Sequence, residues 1–262
     1  MVNAVIITQA RIGSSRLPSK ILKTIQNKSL LEIQLSRLKR SKLNNGIVVA
    51  TTFEKGVEKI IRLTKKYNIN LFQGDNYNVL DRYYNAARFF SASYIVRVTS
   101  DCPLIDPKLI DYIIKFTVKK KLDYCSNVLI NNYPDGQDIE VFKFNVLEDA
   151  WKNAKLDSEK EHVTPYIINN SDFNKKGKFK ALNFSENLSK QYSKVRMTVD
   201  YKEDFEAIDI LIRENGQFCN WEVYADYILN NQNKFKNQNL IRNESFLKQI
   251  ENEKKSDRTK II

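Results

Sequence analysis

Nowhere in the 262 residues does an apolar run approach the ~20 needed to cross a bilayer. The first residues read as a strand, not as a charged segment leading into an apolar run and a cleavage site. Neither a membrane span nor a secretory leader is therefore expected. Cysteine is scarce: Cys102, Cys125 and Cys219 lie far apart, without paired zinc spacing. Such a set is expected to stay reduced in the cytoplasm. His162 is the only histidine, and no nucleophile–base arrangement stands out. Gly-x-Ser-x-Gly, the elbow of α/β-type serine hydrolases, is absent. So are the Walker A loop and the dinucleotide Gly-x-Gly-x-x-Gly. There is no internal repeat and no low-complexity linker.

The chain does carry an excess of positive charge, +12, within ordinary globular proportions of 42% hydrophobic and 28% charged residues. Its lysines are scattered, with one run at 119–121 near an expected helix end, where cations suit the helix dipole. The excess reads as compositional bias and not as a nucleic-acid footprint, although it would draw in an anionic substrate.

Residues 1 to about 126 alternate short apolar strands with amphipathic helices. Strands are expected at 2–8, 46–51, 69–72 and 94–99. Helices are expected from the Ser29-to-Glu32 capping box to about 41, at 54–67 and 77–90, and after Asp106-Pro107. This is the pattern of parallel βαβ units with helices on both faces of a sheet. An order of 3-2-1-4 makes strands one and four neighbours, and ligands bind beyond the carboxyl ends at such a switch point. The second half is less regular. Strands are expected at 138–142, 179–184 and 194–199, and helices at 203–214 and 221–229. A second capping box at 158–161 precedes a helix carrying His162 and Tyr166, and 251–260 reads as a frayed tail. The expected organisation is one domain over 1–240, regular over 1–126 and less so over 127–240. A polar tail follows at 241–262.

The loop after strand one concentrates the chemistry. Gly13 lets the backbone turn, Ser14 and Ser15 offer hydroxyls, and successive N–H groups can form an anion nest. Arg11 and Arg16 bring planar forks suited to phosphate, and Lys20 a point charge. Set against this, three cations in ten residues also suit a solvated loop. Asp101, just past strand four and braced by Pro103, suits either Mg²⁺ or an Asx turn. Asp200 ends a strand and offers a second metal carboxylate, whereas Asp204 fits the first turn of the next helix. Asp138 and Glu140 share one strand face, fit either to hold sugar hydroxyls or to meet water. His162 suits a structural hydrogen bond as well as acceptor binding. The lack of a nucleophile is compatible with phosphoryl-type transfer, which needs positioning and charge neutralisation.

Taken together, Gln9-Ala-Arg11-Ile-Gly13-Ser-Ser15-Arg16-Leu-Pro18-Ser-Lys20 resembles the opening of the spore coat polysaccharide biosynthesis protein F family. That family belongs to the sugar-acid cytidylyltransferases, which include the enzymes making CMP-Kdo and CMP-N-acylneuraminate. The resemblance continues through Asp81-Arg-Tyr-Tyr84, Arg97 to Pro103, Asp135 to Glu140, Glu161-His-Val-Thr-Pro-Tyr166 and Val199-Asp200, and reaches Asn239 and Arg242. Position 19 is Ser where glycine is common, a departure that bears on local backbone conformation. The resemblance implies a Rossmann-like α/β nucleotidyltransferase fold, with a nucleotide-binding half (1–126) and an acceptor-binding and dimerisation half (127–240), a CTP-dependent reaction and a homodimer. Arg11, Arg16 and Lys20 would bind the triphosphate, with Gly13, Ser14 and Ser15. Ala10, Thr51 and Thr52 would read cytosine, and Arg97 would join the nucleotide site. Asp101 and Asp200 would hold Mg²⁺. Asp138, Glu140, His162 and Tyr166 would face a sugar-acid acceptor. The rival readings are a nucleotide-sugar glycosyltransferase, which would usually carry Asp-x-Asp and has only Asp138-Ile-Glu140 as an approximate substitute here, a non-catalytic basic binding protein, and a nucleotidyltransferase that uses another base or attacks a sugar phosphate.

Overall fold

A computed structural model describes residues 3–14, 16–186 and 188–259. Strand β1 (Ala4–Gln9) lies inside the sheet because its side chains alternate between two apolar cores. Ala4 and Ile6 enter one core, Val5 and Ile7 the other. Only a strand covered on both faces can bury such a run. A small hairpin follows, β2 (Thr24–Ile25) and β3 (Lys28–Ser29), then α1 (Leu30–Leu38). The Ser29–Glu32 capping box forms as expected. Alternation continues through β4 (Gly46–Thr51), α2 (Glu58–Tyr67), β5 (Asn70–Gln73), α3 (Val79–Phe89), β6 (Tyr94–Thr99) and α4 (Pro107–Lys119). Asp106 caps α4 by accepting from the N–H groups of Lys108 and Leu109.

The second half supplies β7 (Tyr124–Ser126), β8 (Glu140–Lys143), α5 (Phe144–Asn153), α6 (Asp157–His162), α7 (Pro165–Asn169) and β9 (Ala181–Asn183). Helices α8 (Lys202–Asn215), α9 (Trp221–Asn230) and α10 (Glu244–Thr259) complete it. The main sheet runs β5-β4-β1-β6-β8-β7-β9, so its first four members have the expected 3-2-1-4 order and are parallel. Strand β8 alone runs against its neighbours. Helices α1, α2, α4, α8 and α9 bury one face of the sheet; α3, α5 and α7 bury the other.

Four expectations are corrected. No strand forms at 194–199: Lys194 ends a 3-10 turn (Lys190–Lys194), and 195–199 are extended without joining the sheet. Their N–H groups go to loop carbonyls, Met197 to Asp135 and Val199 to Asp101, with one isolated bridge from Arg196 to Asp135. No capping box forms at 158–161. Helix α6 starts earlier, with the Glu159 carboxylate accepting from the N–H groups of Lys155 and Leu156, while the Ser158 hydroxyl donates to Glu253. His162 and Tyr166 do not share a helix: Val163, at φ 70°, breaks the chain before Pro165. Finally, 251–260 is no frayed tail. Through Thr259 it continues α10, which packs against α6.

Candidate nucleotide-binding cleft

The loops after β1 and β6 meet because those strands are adjacent and parallel. Gln34 of α1 ties them: it accepts from Thr8 Oγ1 at 3.1 Å and donates to the Thr99 and Cys102 carbonyls at 2.6 and 3.2 Å. The extended segment 195–199 brings Asp200 to the third side. There the N–H of Val199 donates to the Asp101 carbonyl at 2.8 Å. Side chains that are distant in sequence thus line one cleft of about 610 Å³.

At its base, Lys20 Nζ lies 2.9 Å from Asp200 Oδ1 and 3.4 Å from Asp101 Oδ2, and donates to the Val199 carbonyl at 2.8 Å. Burial pulls its pKa down, but the charges of Asp101 and Asp200 outweigh that and hold it above the ordinary lysine value. For Asp101 burial pushes the pKa up, and the Lys20 charge together with hydrogen bonds from Thr99 and Lys20 more than reverses this. Arg16 Nη2 reaches Asp200 at 2.7 Å, and its guanidinium lies over the Tyr201 ring, 5.2 Å from the centroid. Arg11 lines the same cleft and forms no ion pair among the described residues. Asp101 and Asp200 therefore share one opening with Arg11, Arg16 and Lys20, and Arg82, Lys160, Asp157 and Glu161 line it too. That is an electrostatic arrangement ready to exchange internal pairs for a polyphosphate and a cation.

Ala10, Gly13, Ser14 and His162 also line the cleft. Ser15 lies outside the described residues. The nest expected at Gly13 forms, but its anion is internal. Glu54 accepts from the N–H groups of Ile12 and Gly13 at 2.6 and 3.0 Å and from Thr52 Oγ1 at 2.9 Å. Thr51 and Thr52 are buried and do not line the cleft.

Arg97 does not reach the cleft either. The β6–β8 register sets it directly opposite Glu140, and the two form a buried ion pair. Glu140 also accepts from Tyr124 Oη at 2.7 Å and Thr164 Oγ1 at 2.6 Å, so its carboxylate is fully engaged inside the protein. Asp138 pairs with Arg242 at 2.6 Å, and Tyr166 donates to Asp149 at 3.1 Å. Of the four expected acceptor residues, only His162 lines the cleft. Asp138 and Glu140 accordingly do not stand in for an Asp-x-Asp pair there.

Gln9, Tyr77, Asn78 and Arg82 line the cleft without having been singled out from the sequence as site residues. Arg82 is 1% exposed; among the described residues its Nη1 donates to the Asp75 carbonyl and its Nε has no partner. Gln9 Oε1 is likewise buried without a partner among the described residues. The signal was present: both residues stand inside motifs quoted above. Nothing in the sequence, however, separates a buried arginine of α3 from a solvated one.

Two backbone positions hold the cleft's shape. Ser19 sits at φ 51°, in the left-handed region that glycine adopts freely. Ser19→Gly relieves roughly 1 kcal/mol of strain, against a nearly equal gain in unfolded-chain entropy. A melting temperature within about 2 °C of wild type is expected; a fall of 5 °C or more would show that the serine side chain is itself needed. Gly136, at φ 103°, has no room for a side chain, since an added Cβ would stand 2.6 Å from the Met197 carbonyl carbon. Gly136→Ala must push 197–198 outward and carry Asp200 with it. The expected result is a loss of roughly 2 kcal/mol or more in urea unfolding, from clash and φ strain together.

This fold and cleft define a class: α/β nucleotide-handling proteins that bind at the switch point of a parallel sheet. The sequence matches the cytidylyltransferase family over residues 4–250, and the chain belongs to that family. It is a CTP-dependent nucleotidyltransferase. It is 41% identical over 201 residues to an uncharacterized protein of Methanocaldococcus jannaschii, covering 76% of this chain and 79% of the relative. Spore coat polysaccharide biosynthesis protein SpsF of Bacillus subtilis is 33% identical over 217 residues, covering 80% and 87%. The solved structure of a cytidylyltransferase from Leptospira borgpetersenii superposes with a TM-score of 0.84 at 31% identity, covering 92% of this chain and 100% of that one. Among the described residues no helix is long and apolar enough to cross a membrane.

Proposed function

We propose that the protein transfers CMP from CTP to the anomeric hydroxyl of a sugar acid, with release of pyrophosphate. The observation that carries this reading is the convergence of Arg16 and Lys20 on Asp101 and Asp200 in one cleft. In the attack, the acceptor oxygen bonds to the α-phosphorus and the bridging oxygen leaves with the pyrophosphate. Arg11, Arg16 and Lys20 neutralise the charge that develops on that leaving group.

Mg²⁺ fits the donor set. Among the described residues no three histidine, cysteine, aspartate or glutamate side chains cluster as a metal site. A cation held by one or two carboxylates and by substrate phosphates needs no such cluster. Asp101 and Asp200 would hold it, and it would supply charge neutralisation at the phosphates. Lys20 and Arg16, paired with these carboxylates here, would then be free to neutralise the phosphates.

The test is a thermal-shift panel of the four nucleoside triphosphates with and without Mg²⁺, followed by pyrophosphate detection with CTP and a set of 2-keto-3-deoxy sugar acids. A Mg²⁺-dependent shift for CTP alone, then pyrophosphate with at least one acid, is expected. Release of a nucleoside diphosphate instead would favour the glycosyltransferase reading and overturn this one.

A further inference from the structure

His162 is tied down from behind by a segment that reads as tail in the sequence. Its Nε2 lies 3.0 Å from Gln249 Oε1. Since that amide oxygen only accepts, Nε2 carries the proton and Nδ1 holds a lone pair. Among the described residues Nδ1 has no hydrogen-bond partner, and the side chain lines the same cleft as Lys20, Asp101 and Asp200. Phe246 meets the imidazole edge to face, with centroids 4.6 Å apart, and fixes the ring plane. The rest of α10 spans the cleft mouth. Ser245 accepts from Arg16 Nη1 at 2.9 Å, Glu244 accepts from Tyr201 Oη at 2.7 Å, and Glu253 receives the Ser158 hydroxyl at 2.6 Å. One helix thus joins the cation side of the cleft to the α6 side.

We propose that His162 is the general base of the transfer and that Gln249 is its positioning residue. The inference rests on the CMP-transfer reading above. The acceptor O–H proton passes to Nδ1, and the oxygen electron pair forms the new P–O bond. The electrons of the broken bond leave on pyrophosphate, and the imidazolium then returns its proton to water. Burial and the Arg97 charge push the imidazole pKa below its ordinary 6.5, outweighing the Gln249 bond and the charges of Glu161 and Glu140. The contacts of the ring with the described residues of α10 are to the neutral Phe246 and Gln249. The base is therefore free of its proton at neutral pH, as its role requires.

Because the chain has one histidine, a ¹⁵N-imidazole NMR titration of the full protein reads this group alone. The wild type is expected to show the Nε2–H tautomer and a midpoint below 6.5. Gln249→Leu should mix the tautomers, with a second, Nδ1–H population appearing. In pyrophosphate assays with CTP, Mg²⁺ and the sugar-acid panel, His162→Asn should lower kcat about 10²-fold or more and flatten the acid limb of its pH profile. Gln249→Leu should lower kcat less, while Gln249→Glu, which keeps an acceptor, should restore it in part. The thermal shift with Mg²⁺ and CTP should persist in all three. Persistence of that shift with wild-type kcat in His162→Asn would overturn the base assignment and leave CMP transfer standing. Loss of the CTP shift in the wild type would instead remove the reading beneath it.

Discussion

Pyrophosphate release by Lys20→Ala is expected to fall about 10²- to 10³-fold, the usual loss when one preorganised charge is removed from a transition-state site. Its stability should respond in a way that an ordinary surface lysine would not. Lys20 bridges Asp101 and Asp200, and removing it leaves Asp101 without its cation while Asp200 keeps Arg16. Like charges facing each other at low exposure repel, so the variant should melt lower than wild type in EDTA. Millimolar Mg²⁺ should then raise its melting temperature more than that of wild type, because the two carboxylates are freed to take a cation. Thermal melts of both proteins with and without Mg²⁺ check this. Equal metal responses would separate the two aspartates from any shared cation site.

Asp204→Ala should be the most destabilising single change near the cleft. The side chain is 0% exposed and receives five hydrogen bonds. Arg196 grips it from Nε at 2.7 Å and from Nη2 at 2.8 Å. Asn237 and the N–H groups of Asp200 and Tyr201 supply the rest. Truncation strands the Arg196 guanidinium, still beside Asp135 at 2.8 Å, in a dry interior. A loss of roughly 3–5 kcal/mol is expected, or about 8–15 °C in melting temperature. The double variant Arg196→Met with Asp204→Leu should be less damaged than Asp204→Ala, since no stranded guanidinium remains and Asp135 keeps Arg242 at 3.8 Å. The pH dependence has a definite sign. Burial alone would raise the Asp204 pKa, but the Arg196 and Asn237 hydrogen bonds hold it below 3.8. Its contribution is thus whole above the unfolded value and lost as pH falls through the folded one. Acid melts of Asp204→Ala should show a shallower decline below pH ~4 than wild type.

The first half of the fold was open to reading because each of its elements carries a local pattern. Val5-Ile6-Ile7 is apolar on both strand faces, and Ser29-Leu-Leu-Glu32 and Asp106-Pro107 announce helix starts. Adjacency of strands one and four then brings Lys20 to Asp101. The second half hid its logic because its partners are remote. Arg196 is satisfied by Asp135 and Asp204, and a segment whose N–H groups feed loop carbonyls alternates in sequence just as a strand does. Arg97 and Glu140 looked like ligand-facing charges, and only the β6–β8 register shows that they neutralise each other. The polar stretch after 240 lacks an apolar stripe wide enough to announce a packed helix. What docks α10 is a set of hydrogen bonds to Arg16, Tyr201, Ser158 and His162.

The carboxylate of Glu54 in the backbone cradle at Ile12 and Gly13 has a further consequence. Any outside anion that takes those two N–H groups must evict a tenant already held at 2.6 and 3.0 Å. Occupancy there is an exchange, not a filling of vacant space. A guest with several negative charges can win it, because other cations of the opening add to its hold. A guest with one charge meets a rival of its own kind that never diffuses away.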